Sequence, residues 1–139
     1  MFYYPVLLEQ DPETQQFIVE FIDIPGTYSS GDSKDEALLN AADALETAFY
    51  YLMQDRRPIP PATPLNDHPG VAVPVLIAAK VALYNAMLAS GTRKADLARK
   101  LNIAPVLVDR LLSLKHKSRI EQLETALALL DKRLLIEVV

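Results

Sequence analysis

The sequence of 139 residues contains no cysteine. Disulfide bonds, thiolate metal sites and cysteine nucleophiles are therefore excluded, and the composition suits the reducing cytoplasm. There are only two histidines, His68 in a proline-rich stretch and His116 between two lysines, and neither has a partner at the spacing of metal ligands. We therefore predict no metal and no other cofactor.

Long apolar runs are also missing. The longest, Val71–Ala79, has nine residues, whereas a membrane-spanning helix needs roughly 20. The N-terminus has no basic stretch ahead of an apolar one, so we expect no secretory signal. These absences predict a cytoplasmic protein with no membrane partner.

Charge is divided unevenly between the two halves of the chain. The net charge is −4, but residues 1–70 hold 12 Asp or Glu against 3 Lys or Arg, and residues 71–139 hold 11 Lys or Arg against 6 Asp or Glu. An acidic half joined to a basic half suggests two partners of opposite charge. The alternative is two surfaces that are only solvated.

The first thirty residues predict an antiparallel sheet. Strands are expected at Phe2–Glu9 and Phe17–Ile24, because both segments are rich in branched and aromatic residues. The stretch DPETQQ at 11–16 lies between them and begins with the turn signal Asp-Pro. A short third strand is expected at Thr27–Ser30.

A long helix is predicted to begin after Ser33. Ser33 is a good N-cap, Glu36 stands three residues further on as in a capping box, and Arg56-Arg57-Pro58 closes the helix. Apolar residues recur along it at intervals of three and four, which predicts one buried stripe. The stripe consists of Leu38, Ala41, Leu45, Ala48, Phe49 and Leu52.

Residues 58–70 contain five prolines and predict a linker or a stiff loop. The stretch VAVPV at 71–75 predicts a short edge strand, because Pro74 has no N–H for a ladder. The apolar period then becomes helical, and the tail LLIEVV is expected to form a terminal strand that pairs between subunits. The predicted helices are 76–89, 93–101, 104–113 and 119–132.

Residues 93–113 fit the pattern of a helix-turn-helix. Two closely crossing helices need a small residue at their contact, which Ala98 supplies, and the turn needs a residue that tolerates left-handed φ, which Asn102 supplies. Ile103 plugs the turn, and Pro105 fits the first turn of the second helix. The apolar anchors of the second helix are Val108, Leu111 and Leu112.

The outer side of this motif is predicted to bind DNA. The stretch from Thr92 to Ser118 holds seven Lys or Arg against two Asp. The second helix of such motifs lies in the major groove of DNA, and such proteins often bind as dimers to two half-sites. Arg110 is the candidate for reading a guanine edge and Val106 for touching a thymine methyl, whereas Asp109 would repel a phosphate. The alternative is a helical bundle with a solvated basic face. The candidate DNA-binding residues are Arg93, Lys94, Pro105, Val106, Asp109, Arg110, Lys115, His116 and Lys117.

Residues 4–49, YPVLLEQDPETQQFIVEFIDIPGTYSSGDSKDEALLNAADALETAF, resemble the HicB family of antitoxins. The shared pattern is a strand, an acidic Asp-Pro-Glu turn, a second strand ending in Asp23-Ile24-Pro25-Gly26, and Gly31-Asp32-Ser33 with Glu36-Ala37 at the helix start. The rest of the chain is similar to the HicB subgroup that carries a helix-turn-helix. The sequence departs from the family at Tyr28, where a smaller residue is frequent, and at Asn102.

This resemblance implies an α+β protein. Its N-terminal domain would be a partial ribonuclease-H-like sheet with one long helix, which covers a small ribonuclease toxin, HicA. Its C-terminal domain would be an all-α helix-turn-helix of the lambda-repressor type, which binds the operator of its own gene pair. The predicted domains are residues 1–57 with strand 71–75, a linker at 58–70, and residues 76–139.

The acidic half suits a basic ribonuclease partner, because opposite charges steer association. The candidate toxin-binding residues, chosen by location, are Glu9, Asp11, Glu13, Glu20 and Asp23, and the alternative for each is a purely solvated side chain. Asp43 and Glu46 are only a weak constellation for metal-dependent cleavage. We therefore predict a homodimeric or higher oligomeric antitoxin and autorepressor without catalysis. The alternative is a one-component repressor whose N-terminal half senses a small ligand.

Overall fold

A computed structural model of the protein describes residues 2–139, and over these residues the predicted α+β class is confirmed. The chain separates into two compact units, of which unit 1 ends at Pro74 and unit 2 begins at Val75. The elements within the described residues are β1 (Phe2–Gln10), β2 (Phe17–Phe21), β3 (Tyr28–Gly31), α1 (Lys34–Gln54), β4 (Gly70–Val73), α2 (Val75–Ser90), α3 (Lys94–Leu101), α4 (Pro105–Leu112) and α5 (Ile120–Ala128).

Unit 1 is a four-stranded antiparallel sheet in the order β3-β2-β1-β4, with α1 packed on one face. The inner residues of β1 and β2 are buried there, as Val6 and its partner Phe21 illustrate. Tyr4 of β1 packs its ring 5.6 Å from that of Phe49 on α1. The predicted hairpin is confirmed, and Gln15 in its turn takes a left-handed φ of 64°.

Helix α1 begins as predicted, because the Oγ of Ser33 accepts from the N–H of Glu36 at 3.1 Å. The carboxylate of Glu36 reaches back to the N–H of Asp32 at 3.2 Å, one residue earlier than a capping box requires. The helix ends because Arg56 takes a left-handed φ of 53°. Its buried residues are Ala37, Ala41, Leu45 and Phe49, whereas the predicted Leu38, Ala48 and Leu52 are only half-buried.

The second strand was predicted to reach Ile24, and this was wrong because β2 ends at Phe21. Two residues later the carboxylate of Asp23 accepts from the Thr63 N–H at 2.8 Å and lies 2.9 Å from the Thr63 hydroxyl. Tyr4 Oη donates to the carbonyl of Pro60 at 2.7 Å. The proline-rich segment is therefore a loop fastened onto unit 1. It leads into the edge strand β4, which stops before Pro74.

Unit 2 is all helical, with one apolar core that includes Leu83, Leu97, Val108 and Leu123. The predicted last helix, 119–132, is too long, because α5 ends at Ala128. Asp131 takes a left-handed φ of 59°, and the N–H of Lys132 closes the helix by donating to the Leu127 carbonyl. Residues 132–139 form no strand within this chain, and the pairing of the tail between subunits stays a prediction.

Candidate functional sites

The sheet of unit 1 presents one face opposite α1. Leu7 and Glu9 of β1 lie opposite Glu20 and Ile18 of β2, and Glu20 also lies opposite Tyr28 of β3. Because directly opposed residues of antiparallel strands share a face, these five side chains form one surface, which we call the open face. Four of them are exposed, and Glu20 is partly exposed.

The open face combines apolar area with negative charge. Leu7, Ile18 and Tyr28 supply the area, and Tyr28 Oη lies 3.4 Å from a carboxylate oxygen of Glu20. No Lys or Arg precedes Lys34 in the sequence, whereas six Asp or Glu do. The three strands of the face therefore carry no positive side chain of their own, and the surface suits a partner with an apolar, cationic face.

The other predicted acidic residues lie elsewhere. Asp11 and Glu13 belong to the hairpin turn, where the Asp11 carboxylate accepts from the Glu13 N–H at 2.9 Å. Asp23 holds Thr63 in the proline-rich loop. Burial and, to a smaller extent, the nearby Asp23 charge together raise the pKa of Tyr4 to about 12. Asp23 therefore has a structural role, and the open face brings together only Glu9 and Glu20 of the predicted set.

Helices α3 and α4 of unit 2 are joined by a tight turn. Asn102 takes φ 55° and ψ 48°, which confirms the predicted left-handed residue, and the N–H of Ile103 returns to the Ala98 carbonyl at 3.0 Å. Ala98 is buried at the helix contact, as predicted. Beyond the turn, Val108 and Leu111 are buried while Leu112 is half-buried. The two helices are thus held closely together by side chains of the expected sizes.

The outer surface of α4 is exposed, as predicted for Pro105, Val106, Asp109 and Arg110, and the N-cap residue Ala104 is exposed as well. Asp109 pairs with Lys94 of α3 at 2.8 Å, and both side chains remain more than half exposed. Asp109 counted against DNA binding because its negative charge would repel a phosphate. The ion pair with Lys94 offsets that charge. The pair also links the N-terminal end of α3 to α4.

Basic side chains surround this surface. Arg93 precedes α3 and is exposed, and its backbone N–H donates to the Asp96 carboxylate at 3.0 Å. That hydrogen bond, together with the charges of Arg99 and Arg93, holds the pKa of the Asp96 carboxyl below its ordinary value. After α4, residues 113–119 form a loop that we call the basic loop. Lys115, His116, Lys117 and Arg119 are exposed on it.

Lys80 is a functional candidate that the sequence patterns did not single out. It is the one charged residue of α2, and its side chain is 0 % exposed. Its Nζ donates to the carbonyls of Arg110 at 2.9 Å and Leu111 at 3.1 Å, and to the Ser118 hydroxyl at 2.8 Å. Burial lowers the pKa of Lys80 to about 8. A single lysine inside an otherwise uncharged helix was the available signal, because a buried charge needs partners.

Two further features are absent from residues 2–139, namely a metal-ion site and a single membrane-spanning helix. No group of three or more His, Asp or Glu side chains in that range is placed to hold a metal ion. No single helix there is both long enough and apolar enough to cross a membrane. Helices α2 and α3 reach that length and composition only together, and the chain bends by 108° between them.

A protein-family model described as "HicB_like antitoxin of bacterial toxin-antitoxin system" matches residues 3–82, which is more than half of the chain. The chain belongs to the HicB family of antitoxins. The resemblance carried by residues 4–49 is thereby confirmed. The match includes α1, three whole strands and all of β1 except Phe2, and hence the open face.

Several proteins named as HicB antitoxins resemble this family member along nearly its whole length. It is 46% identical over 132 residues to Antitoxin HicB 2 of Photorhabdus laumondii, a match that covers 94% of this chain and 92% of the relative. It is 39% identical to Antitoxin HicB of Pseudomonas fluorescens, a match that covers 99% of this chain and 94% of that relative. It is 38% identical to Antitoxin HicB of Escherichia coli K12, with 94% and 95% covered. The similarity to HicB antitoxins therefore extends through unit 2.

Proposed function

We propose that this HicB-family antitoxin acts in the cytoplasm, neutralises a small HicA-like ribonuclease and represses its own operon. In this proposal the open face of unit 1 covers the active face of the toxin, and α4 with the basic loop binds the operator. The observation that carries the proposal is the division of charge. Unit 1 holds an excess of acidic residues and unit 2 an excess of basic ones, so each unit complements one of the two partners.

The toxin half of the proposal follows from what a ribonuclease must bind. Its working face has to attract RNA phosphates, so a protein that covers that face should be acidic. The open face provides Glu9 and Glu20 beside exposed Leu7, Ile18 and Tyr28. Apolar and aromatic contact gives affinity, while the carboxylates speed association and select a cationic partner. We also infer that this sheet with α1 is the partial ribonuclease-H-like fold of the family.

A pair of matched double variants tests this surface. Glu9→Lys with Ile18→Lys reverses the charge and removes an apolar contact on the open face. Leu39→Lys with Asp43→Lys makes the same two kinds of change on the exposed side of α1, where Leu39 is 72% exposed.

The readouts are rescue of growth when the toxin gene is co-expressed, and co-purification with the toxin. We expect the first variant to lose both and the second to keep both. Retention of the toxin by the first variant would exclude the open face, and failure of the unaltered protein to bind would exclude the toxin function.

The operator half of the proposal rests on unit 2. The exposed side of α4 carries Val106 and Arg110, and the Asp109 charge is already offset by Lys94. Arg110 has the donor pair that recognises a guanine edge, and Lys115 and Lys117 on the basic loop are suited to phosphates. We infer that α3 and α4 form a helix-turn-helix of the lambda-repressor type.

Alanine variants measured on operator DNA separate these roles. Arg110→Ala should cost about 1–3 kcal/mol of binding free energy and relax the choice of base. Lys117→Ala should weaken binding to every sequence and lower the salt slope by about one unit. Lys34→Ala, a lysine of unit 1, is the control and should change neither. Equal binding by the unaltered protein and by a variant with alanine at Arg93, Arg110 and Lys115 would rule out this surface.

We propose in addition that the protein is at least a homodimer held by its C-terminal tail. Leu135, Ile136, Val138 and Val139 are exposed within a single chain, whereas Leu134 packs on the unit 2 core. A dimer would cover this apolar tail and would present two DNA-binding helices to two half-sites. Deleting residues 135–139 should yield monomers in sedimentation, and an unchanged dimer would contradict the assignment.

A further inference from the structure

Lys80 joins two parts of unit 2 that are far apart in the sequence. Its ammonium lies among three oxygen atoms, the carbonyls of Arg110 and Leu111 and the hydroxyl of Ser118, at 2.8 to 3.1 Å. An ammonium has three donors, so each N–H has one acceptor. A lysine that is fully buried would otherwise carry a large desolvation cost, and this arrangement offsets it.

Two of these acceptors belong to the end of α4. The last carbonyls of a helix have no partner within the helix, and a cation there also complements the helix dipole. Arg110 and Leu111 lie in this last turn, which ends at Leu112. Lys80 therefore supplies from α2 the cap that α4 lacks in its own sequence, and it holds the backbone of Arg110 while the Arg110 side chain stays exposed.

The third acceptor fixes the basic loop. Ser118 is only 9% exposed, although Lys117 and Arg119 on either side of it are exposed. Its hydroxyl also lies 3.2 Å from the Arg110 carbonyl and 3.0 Å from Nδ1 of His116. The N–H of His116 donates to the Ser113 carbonyl and that of Ser118 to the His116 carbonyl, so the loop is a compact turn. Pinning Ser118 inward directs its basic neighbours outward.

We propose that Lys80 is a positioning residue for DNA binding, whose ammonium locks the end of α4 and the basic loop in the conformation that meets DNA phosphates. Lys80 does not contact the DNA. It acts through Arg110 and Ser118, and it lowers the conformational entropy that the loop would lose on binding. This inference rests on the proposed operator binding, and it adds a residue from α2, outside the exposed surface.

The test compares Lys80→Met, Lys80→Arg and Ser118→Ala with the control Lys34→Met in unit 1. DNA affinity is measured with a labelled random-sequence duplex at low ionic strength, at a temperature where circular dichroism shows every variant folded. Amide hydrogen exchange is measured at His116 and Ser118, whose N–H groups close the loop. Toxin binding by unit 1 serves as an internal check on each preparation.

We expect Lys80→Met to bind the duplex about tenfold more weakly and to exchange the two loop amides faster than the unaltered protein. Lys80→Arg should recover most of the affinity, because it restores a cationic donor. The double variant Lys80→Met with Ser118→Ala should lose less DNA-binding free energy than the sum of the two single losses, since both residues act through one hydrogen-bond network. Lys34→Met should change neither affinity nor exchange.

The inference would be overturned if folded Lys80→Met kept both its DNA affinity and the slow amide exchange of the basic loop. A purely structural role of Lys80 would change only the melting temperature. If Lys80→Met does not fold, Ser118→Ala decides by the same two measurements. If the unaltered protein binds no duplex, the proposed operator function fails. The hydrogen exchange of the loop still reports in that case whether Lys80 orders it.

Discussion

The buried ammonium of Lys80 predicts a specific pH dependence of stability. Burial lowers the pKa of Lys80 from its ordinary 10.5 to about 8. The unfolded chain therefore binds more protons than the folded protein between these two values, and the free energy of unfolding rises with pH in that window. The contribution is complete above pH 10.5 and is lost as the pH falls through 8. Lys80→Met lacks the group and should lack the rise.

The magnitude follows from the two pKa values. Between pH 7 and pH 9 the unaltered protein should gain about 1.4 kcal/mol of unfolding free energy relative to Lys80→Met. This figure is an upper bound, because the acceptors on Arg110, Leu111 and Ser118 favour the ammonium and oppose the effect of burial.

Urea unfolding of both proteins at several pH values in this range measures the difference. Subtracting one series from the other removes the contribution of the groups that the two proteins share. A difference that stays flat, or that falls as the pH rises, would refute the lowered pKa. The control Lys34→Met keeps Lys80 and should show the same rise as the unaltered protein. Loss of the rise in this control as well would show that the effect is not specific to Lys80.

The remaining predictions concern local geometry. Gly31→Ala should lower the free energy of unfolding by about 3 kcal/mol or more. The added Cβ would lie 2.5 Å from the backbone nitrogen of Ala37, near the start of α1. The control Gly26→Ala, at φ +81° in open space, should cost only about 1 kcal/mol in urea unfolding. Asn102→Ala should destabilise unit 2 by about 1 kcal/mol while Asn102→Gly does not, since only the first strains a left-handed turn; equal losses would contradict this. A double-mutant cycle on Lys94 and Asp109 should give a coupling below about 1 kcal/mol that shrinks with salt, and a larger coupling would mean that water does not screen the pair.

Much of the fold was predictable because its signals are local. The hairpin follows from its Asp-Pro turn between two branched segments, and the start of α1 follows from Ser33 and Glu36. The left-handed turn between α3 and α4 follows from Asn102, which stands between two segments whose apolar residues have helical spacing. The ends of elements were less predictable, as the short α5 shows. Asp131 adopts its left-handed φ inside a run of apolar residues that still has helical spacing.

The candidate sites divide in the same way. The sequence by itself determined the family, the opposite charges of the two halves and the small residue at the α3–α4 contact. These are properties of composition and periodicity, which no distant residue alters. Which carboxylates share the open face depended on strand register, because opposed partners are set by pairing and not by order along the chain.

Only the tertiary structure decided the contacts that join distant segments. Asp23 meets Thr63 forty residues away, and Lys80 meets Ser118 thirty-eight residues away. A buried polar group must find a partner, but the sequence does not say which, because any donor and acceptor of suitable reach satisfies that need. The packing of the helices and loops decides which donor meets which acceptor. For that reason a lone lysine in an apolar helix indicated a partnered charge, and the folded chain alone identified the end of α4 and the basic loop as its partners.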